Sequence, residues 1–171
     1  MTRLFLLAAA GASLVCAQDN PLSTEIKARY TGIKTNLMKM ADKMSEADYA
    51  FKPVDTIRTF GGLVGHVADA QIGACARIKG EQKSLGASSK TAKAELVAAL
   101  KESFDYCDAV YDSLKDSDLS QMLGTAPRQA SKSAAAWGLI VHSNEEYGYM
   151  SVYLRLKGIV PPSSDRPMNT K

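Results

Sequence analysis

The sequence predicts an all-α protein, a bundle of four helices, and three observations carry that prediction. Four segments set apolar residues at alternating four- and three-residue steps, the period of an amphipathic helix. Between them lie stretches where Pro, Gly and Ser interrupt the period. The only two histidines of the chain, His66 and His142, fall near the middle of two such segments, at or beside the apolar stripe.

The chain opens MTRLFLLAAAGASLVCAQDN: one basic residue, an apolar run over 4–15, then small residues. This is the layout of a secretory signal peptide, too short for a comfortable membrane span, with cleavage expected after Ala17. Lipid attachment at Cys16 is disfavoured by the bulk of Leu14 and Val15. Residues 18–171 remain, enough for one domain with its own core. Losing the leader removes only Arg3 from 21 basic and 18 acidic residues, leaving a net charge of about +2. That is too small for the basic face that nucleic-acid binding requires. No second apolar run is long enough to span a membrane, so the reading is an exported protein, periplasmic or secreted.

The first helix is expected over 23–44, with Ile26, Tyr30, Ile33, Leu37, Met40 and Met44 on one side and Ser23 or Thr24 as cap. Its methionines read as core filler. Residues 45–58 lose the period, and Pro53 forbids a regular helix; Tyr49, Phe51 and Val54 alternate as if pinned to the bundle. Such a loop either lines a site or merely straps the bundle. Thr59 offers a cap for a second helix ending before Gly80. Gly61, Gly62 and Gly65 each cost this helix about 1 kcal/mol relative to Ala, so a close neighbour or ligand is expected to offset them.

The third helix is expected over 91–114, with Leu96, Leu100, Phe104, Cys107, Val110 and Leu114 inside and a solvated acidic outer face. The last helix ends near Gly158, before Pro161 and Pro162, and its core seam reads Ala135, Leu139, His142, Glu146, Tyr149, Tyr153 and Leu156. Residues 163–171 read as a disordered polar tail. Cys75 and Cys107 sit on core positions of different helices. Export permits a disulfide between them, but the reading favoured here is two buried, unpaired thiols, because bridging needs a close Cα approach that sequence does not show.

His142 and Glu146, at i and i+4, project from one helix face and can meet one ion. His66 alone is more often a buried, hydrogen-bonded histidine than a ligand. Two imidazoles and a carboxylate converging from two helices nevertheless form a recurrent bundle metal site. Asp69, three residues after His66, reads as an acceptor behind a ligand or as a catalytic base, and Tyr147 as a second proton-transfer group. No nucleophilic triad or phosphate-binding glycine loop is present.

The segments RTFGGLVGHVADAQ and HSNEEYGYMSVYLRLKGIVPPSS, together with FKP in the first loop, resemble the DinB-like (DinB/YfiT) family. The resemblance implies a four-helix bundle with long connections and a divalent metal held by one histidine on the second helix and two on the last. His66 and His142 match the first two positions, and Glu146 stands where the third histidine would be. Glutamate keeps an oxygen donor there, suiting zinc, iron, manganese or nickel. The other reading is that the metal is lost and His142 and Glu146 pair within the core. Burying three such groups without an ion costs several kcal/mol unless they pair well, which favours a retained metal.

The resemblance implies a metal-dependent hydrolase or a thiol-dependent S-transferase; a metal-dependent enzyme in turn predicts an open coordination position and an apolar pocket beside the 45–58 loop. The alternatives are a non-catalytic periplasmic binder of metal or small molecule, and a bundle whose role lies in its surface. A homodimer stays open, and the small-molecule ligand is unspecified.

Overall fold

The computed structural model describes residues 19–127 and 129–165; the signal-peptide reading of residues 1–17 and the tail beyond 165 lie outside them. Four helices form the bundle: α1 Pro21–Lys43, α2 Phe60–Lys79, α3 Lys93–Ser113 and α4 Lys132–Leu156. α2 packs along α3 and α4, and α1 packs along the same two helices, so α1 and α2 oppose each other across one diagonal. None of these helices is long and apolar enough to cross a membrane.

α1 begins two residues before its expected start, because Pro21 takes a first-turn position that needs no backbone donor. Neither Ser23 nor Thr24 caps it. Instead Asp116 accepts from the Leu22 and Ser23 amides at 3.1 and 2.7 Å, a cap supplied from the far end of α3. The expected stripe of α1 is buried throughout, Met44 included. α2 follows its expected span, with Thr59 Oγ1 accepting from the Gly62 amide at 3.0 Å and Gly80 ending it at φ 80°.

The glycines of α2 are explained by neighbours. A Cβ at Gly65 would lie 2.7 Å from the Ala87 carbonyl oxygen, and one at Gly61 would lie 3.1 Å from Leu96 and Tyr49. The short turn Ala87–Ser89 therefore presses directly onto the helix backbone.

Cys75 and Cys107 are joined by a disulfide, their Cα atoms 5.4 Å apart, which corrects the unpaired reading. The two core-facing positions come to the same height on α2 and α3, a fact of helix register that one-dimensional periodicity does not contain.

α4 rotates relative to its expected seam. Leu139, Glu146 and Tyr153 are buried as read, but Tyr149 and Leu156 are 51% and 57% exposed, and Ala136, Ile140, Ser143, Met150 and Leu154 face the core instead. In the 45–58 connection, Tyr49 is buried and donates to Ala41 O at 2.7 Å, and Phe51 meets Tyr153 edge to face at 6.0 Å, whereas Val54 points to solvent. The α3–α4 connection carries a two-residue antiparallel ladder pairing Met122 with Ser131 and Leu123 with Ala130. Ser163–Asp165, read as the start of a disordered tail, are ordered: Pro162–Ser164 form a 3-10 turn, and Lys43 pairs with Asp165. The outer acids of α3 are not all solvated either, since Asp108 pairs with Lys34 and accepts from Tyr30 Oη.

Candidate metal centre

His66 on α2 meets His142 and Glu146 on α4 at the middle of the bundle. The two Nε2 atoms are 3.1 Å apart, and Glu146 Oε1 lies 3.6 Å from each. Donor atoms around one tetrahedral ion with bonds of about 2.1 Å sit roughly 3.4 Å from one another, so this triangle has the size of one face of a coordination sphere.

Without metal the two imidazoles share one hydrogen bond between their Nε2 atoms, but the carboxylate is left out of it. At 3.6 Å, Oε1 is too far from either imidazole for a hydrogen bond. Glu146 Oε2 and His142 Nδ1 are both buried and have no hydrogen-bond partner among the described residues. His66, His142 and Glu146 therefore form a group that could hold a metal ion. Both imidazoles keep about 30% of their side-chain surface exposed, so the triad is reached from outside while Glu146 closes its floor.

Local folding explains the convergence. His142 and Glu146 are one helical turn apart and share a face. Gln71 Nε2 donates to Ser143 Oγ at 2.7 Å, and that hydroxyl donates to Leu139 O, so a buried α2–α4 bond sits beside His142. Burial holds the His66 imidazole below its usual pKa, with Arg58 and His142 reinforcing the effect and Glu146 and Asp69 opposing it. A neutral imidazole is the form that ligates metal.

The two residues read as proton-transfer groups both hold hydrogen bonds to neighbouring turns. Asp69 accepts from the Ala87 amide, the Ser88 amide and the Ser88 hydroxyl at 2.9, 2.9 and 2.7 Å, clamping the turn that covers Gly65. Burial alone would raise its pKa, but those hydrogen bonds outweigh burial and hold it below the usual carboxylate value. Tyr147 Oη donates to Ser163 Oγ and accepts from the Ser163 amide, both at 2.8 Å, and so holds the turn after α4.

The expected apolar pocket beside the 45–58 loop is present. A groove of about 780 Å³ is lined by Pro53, Ile57, Arg58, Leu63, Tyr149 and Val152, with Tyr153 alongside. Leu63 is one turn from His66 and Tyr149 one turn from Glu146, but no triad residue lines this groove; His142 lines a separate, smaller pocket with Ala70, Ala134, Gly138 and Leu139. Tyr153 Oη donates to Arg58 O at 2.6 Å, tying the loop to α4. Arg58, an exposed residue next to the Thr59 cap, brings a charged side chain to the groove. The sequence reading missed Arg58, although its place in the RTFGG stretch eight residues before His66 was available as a signal.

The DinB superfamily model matches residues 30–150, most of the chain. The chain belongs to the DinB superfamily. Its fold is similar to that of a DinB-like protein from Bacillus cereus ATCC 10987 (TM-score 0.71, 18% identity, covering 81% of this chain and 95% of that one). It is also similar to a DinB-like protein from Bacillus subtilis (TM-score 0.67, 19% identity, 84% and 99% covered). A mycothiol-dependent maleylpyruvate isomerase matches with TM-score 0.63 and 18% identity over 85% of this chain, which spans 64% of that larger one. No curated protein matches the sequence. At these identities the likeness establishes the fold of this DinB-superfamily protein, and its chemistry rests on its own residues.

Proposed function

We propose that this protein is an exported, metal-dependent enzyme of the hydrolase or thiol S-transferase type, with zinc, iron, manganese or nickel held by His66, His142 and Glu146. The convergence of two imidazole nitrogens and a carboxylate oxygen within 3.6 Å of one another is the observation that carries this reading. A bound divalent ion would supply Lewis acidity, lowering the pKa of a coordinated water or thiol.

The chain's own residues shape what reaches that place. The groove walls of Leu63, Tyr149, Val152 and Ile57 take up an apolar substrate body and exclude water along it. Arg58 offers a guanidinium to an anionic group at the groove's polar edge, and Tyr153 holds the Arg58 backbone in place. The Cys75–Cys107 disulfide supports the exported reading, because such bonds persist in oxidising compartments. The mycothiol-dependent neighbour lends the thiol-transfer branch its support.

One observation favours a second reading, a non-catalytic binder of metal or small molecule. Asp69 and Tyr147 are both occupied with structural hydrogen bonds, which leaves less of either group for proton transfer.

Elemental mass spectrometry of protein purified without chelator or affinity metal tests the proposal, beside His142→Ala and Glu146→Ala. Near-stoichiometric metal in the native protein and none in the variants is expected. Turnover of an ester or thiol-transfer panel by the loaded protein then separates enzyme from binder. Protein that takes up none of the four metals overturns both metal readings.

A further inference from the structure

Among the described residues that line the groove, none carries a carboxylate, while Arg58 brings a guanidinium. The acids of the adjoining segments are already engaged. Asp55 pairs with Lys52 at 3.0 Å, Asp48 with Lys157 at 2.8 Å, and Glu145 accepts from Tyr149 Oη at 2.7 Å. No carboxylate among the described residues pairs with Arg58 itself, so they leave its positive charge uncompensated at the rim.

The backbone that carries this charge is fixed. Arg58 O accepts from Tyr153 Oη at 2.6 Å, and Thr59, the next residue, caps α2. The Phe60 and Gly61 amides donate to Phe51 O and Tyr49 O at 2.9 and 2.8 Å, stitching the two ends of the loop together. Only the arginine side chain remains to be ordered when a guest arrives, which keeps the entropic cost of binding low. Both phenols of the groove spend their hydroxyls on these bonds, Tyr149 on Glu145 and Tyr153 on Arg58 O. They offer the guest ring surface, beside the aliphatic walls of Ile57, Leu63 and Val152.

A guanidinium presents two parallel N–H donors that match one carboxylate, whereas a phosphate dianion calls for a second cation, which the described lining lacks. A volume of about 780 Å³ lies in the range of small-molecule sites. We infer that the groove binds an apolar monocarboxylate, its carboxylate on the Arg58 guanidinium and its hydrocarbon body along Leu63, Val152 and the two tyrosine rings. In naming this molecule a ligand the assignment needs no metal; in naming it the substrate class, it rests on the proposed function.

Isothermal titration calorimetry on the mature protein, as purified and after chelator, tests the site with octanoate, its neutral isostere octanamide, and octyl phosphate. Circular dichroism and metal content confirm that the variants Arg58→Gln and Val152→Asp fold. Octanoate is expected to bind both forms of the protein about tenfold more tightly than octanamide, the margin of one charge-assisted hydrogen bond. Arg58→Gln closes that gap while octanamide still binds, and Val152→Asp weakens both ligands. Absence of octanoate binding, equal binding of octanoate and octanamide, a preference that survives Arg58→Gln, or indifference to Val152→Asp overturns the site. Octyl phosphate binding more tightly than octanoate overturns the carboxylate. Octanoate that binds only before chelator treatment is held by an ion instead of Arg58, which also overturns the assignment. Protein that takes up no metal yet binds octanoate through Arg58 loses the enzyme reading and keeps this one.

Discussion

Replacing Glu146 by Leu is expected to make the metal-free protein more stable while abolishing its response to metal. The carboxylate is 5% exposed, its Oε2 has no partner among the described residues, and its Oε1 stands beyond hydrogen-bond distance from both histidines. An unsatisfied buried polar group costs about 1–3 kcal/mol, and replacing buried ionic groups by apolar ones of similar size often recovers that much. The metal-free variant is therefore expected to gain about 1–3 kcal/mol, or roughly 2–10 °C in Tm for a chain of this size. Metal at about 100 times its Kd stabilises the native protein by ~2.7 kcal/mol, and the variant by none of that. Scanning calorimetry in chelator, then with zinc, iron, manganese or nickel, reads both effects. A loss of ~3 kcal/mol or more in chelator would refute the reasoning, because that is the cost of breaking a buried pair. Glu146 would then be the histidines' structural partner.

Three further outcomes follow from the packing. Cys75→Ala/Cys107→Ala is expected to lose ~3–4 kcal/mol in urea unfolding, the loop entropy of a 32-residue closure, with metal content unchanged. Gly65→Ala is expected to lose about 1–3 kcal/mol because its Cβ meets a backbone oxygen, whereas Gly32→Ala, where a Cβ meets nothing, gains about 0.5–1 kcal/mol. Asp69→Ala is expected to lose ~2–3 kcal/mol at neutral pH through its three hydrogen bonds to the 87–88 turn. The Asp69 carboxyl titrates lower folded than unfolded, so its contribution is complete above about pH 5 and is lost as the pH falls below about 4. The difference between native and variant in acid unfolding should narrow in that window; a constant difference would contradict the clamp.

Helix spans and the three candidate donors were legible in the sequence because both are local in origin. Thr59 and Gly80 mark the ends of α2, and the i, i+4 spacing of His142 and Glu146 follows from helix geometry. What periodicity could not carry is the rotation and height of one helix against another. The α4 seam was read one side too far, since Tyr149 and Leu156 continue the apolar period while facing the groove and solvent. α4 has two apolar faces, and a hydrophobic pattern does not say which is the core. The disulfide failed to show for the same reason. Asp69 and Tyr147 look like reactive groups in one dimension, and only the Ala87–Ser89 and Pro162–Ser164 turns reveal what they hold.

The Gln71–Ser143 hydrogen bond has a wider consequence. It ties α2 to α4 beside His142, while half of the residues lining the groove come from the 45–58 loop. Insertion or substitution in that loop can remodel what fits the groove without moving a donor atom. The architecture thus separates two heritable traits, the three candidate donors carried by rigid helices and the shape of a groove walled in part by a replaceable segment, so a change in one need not disturb the other.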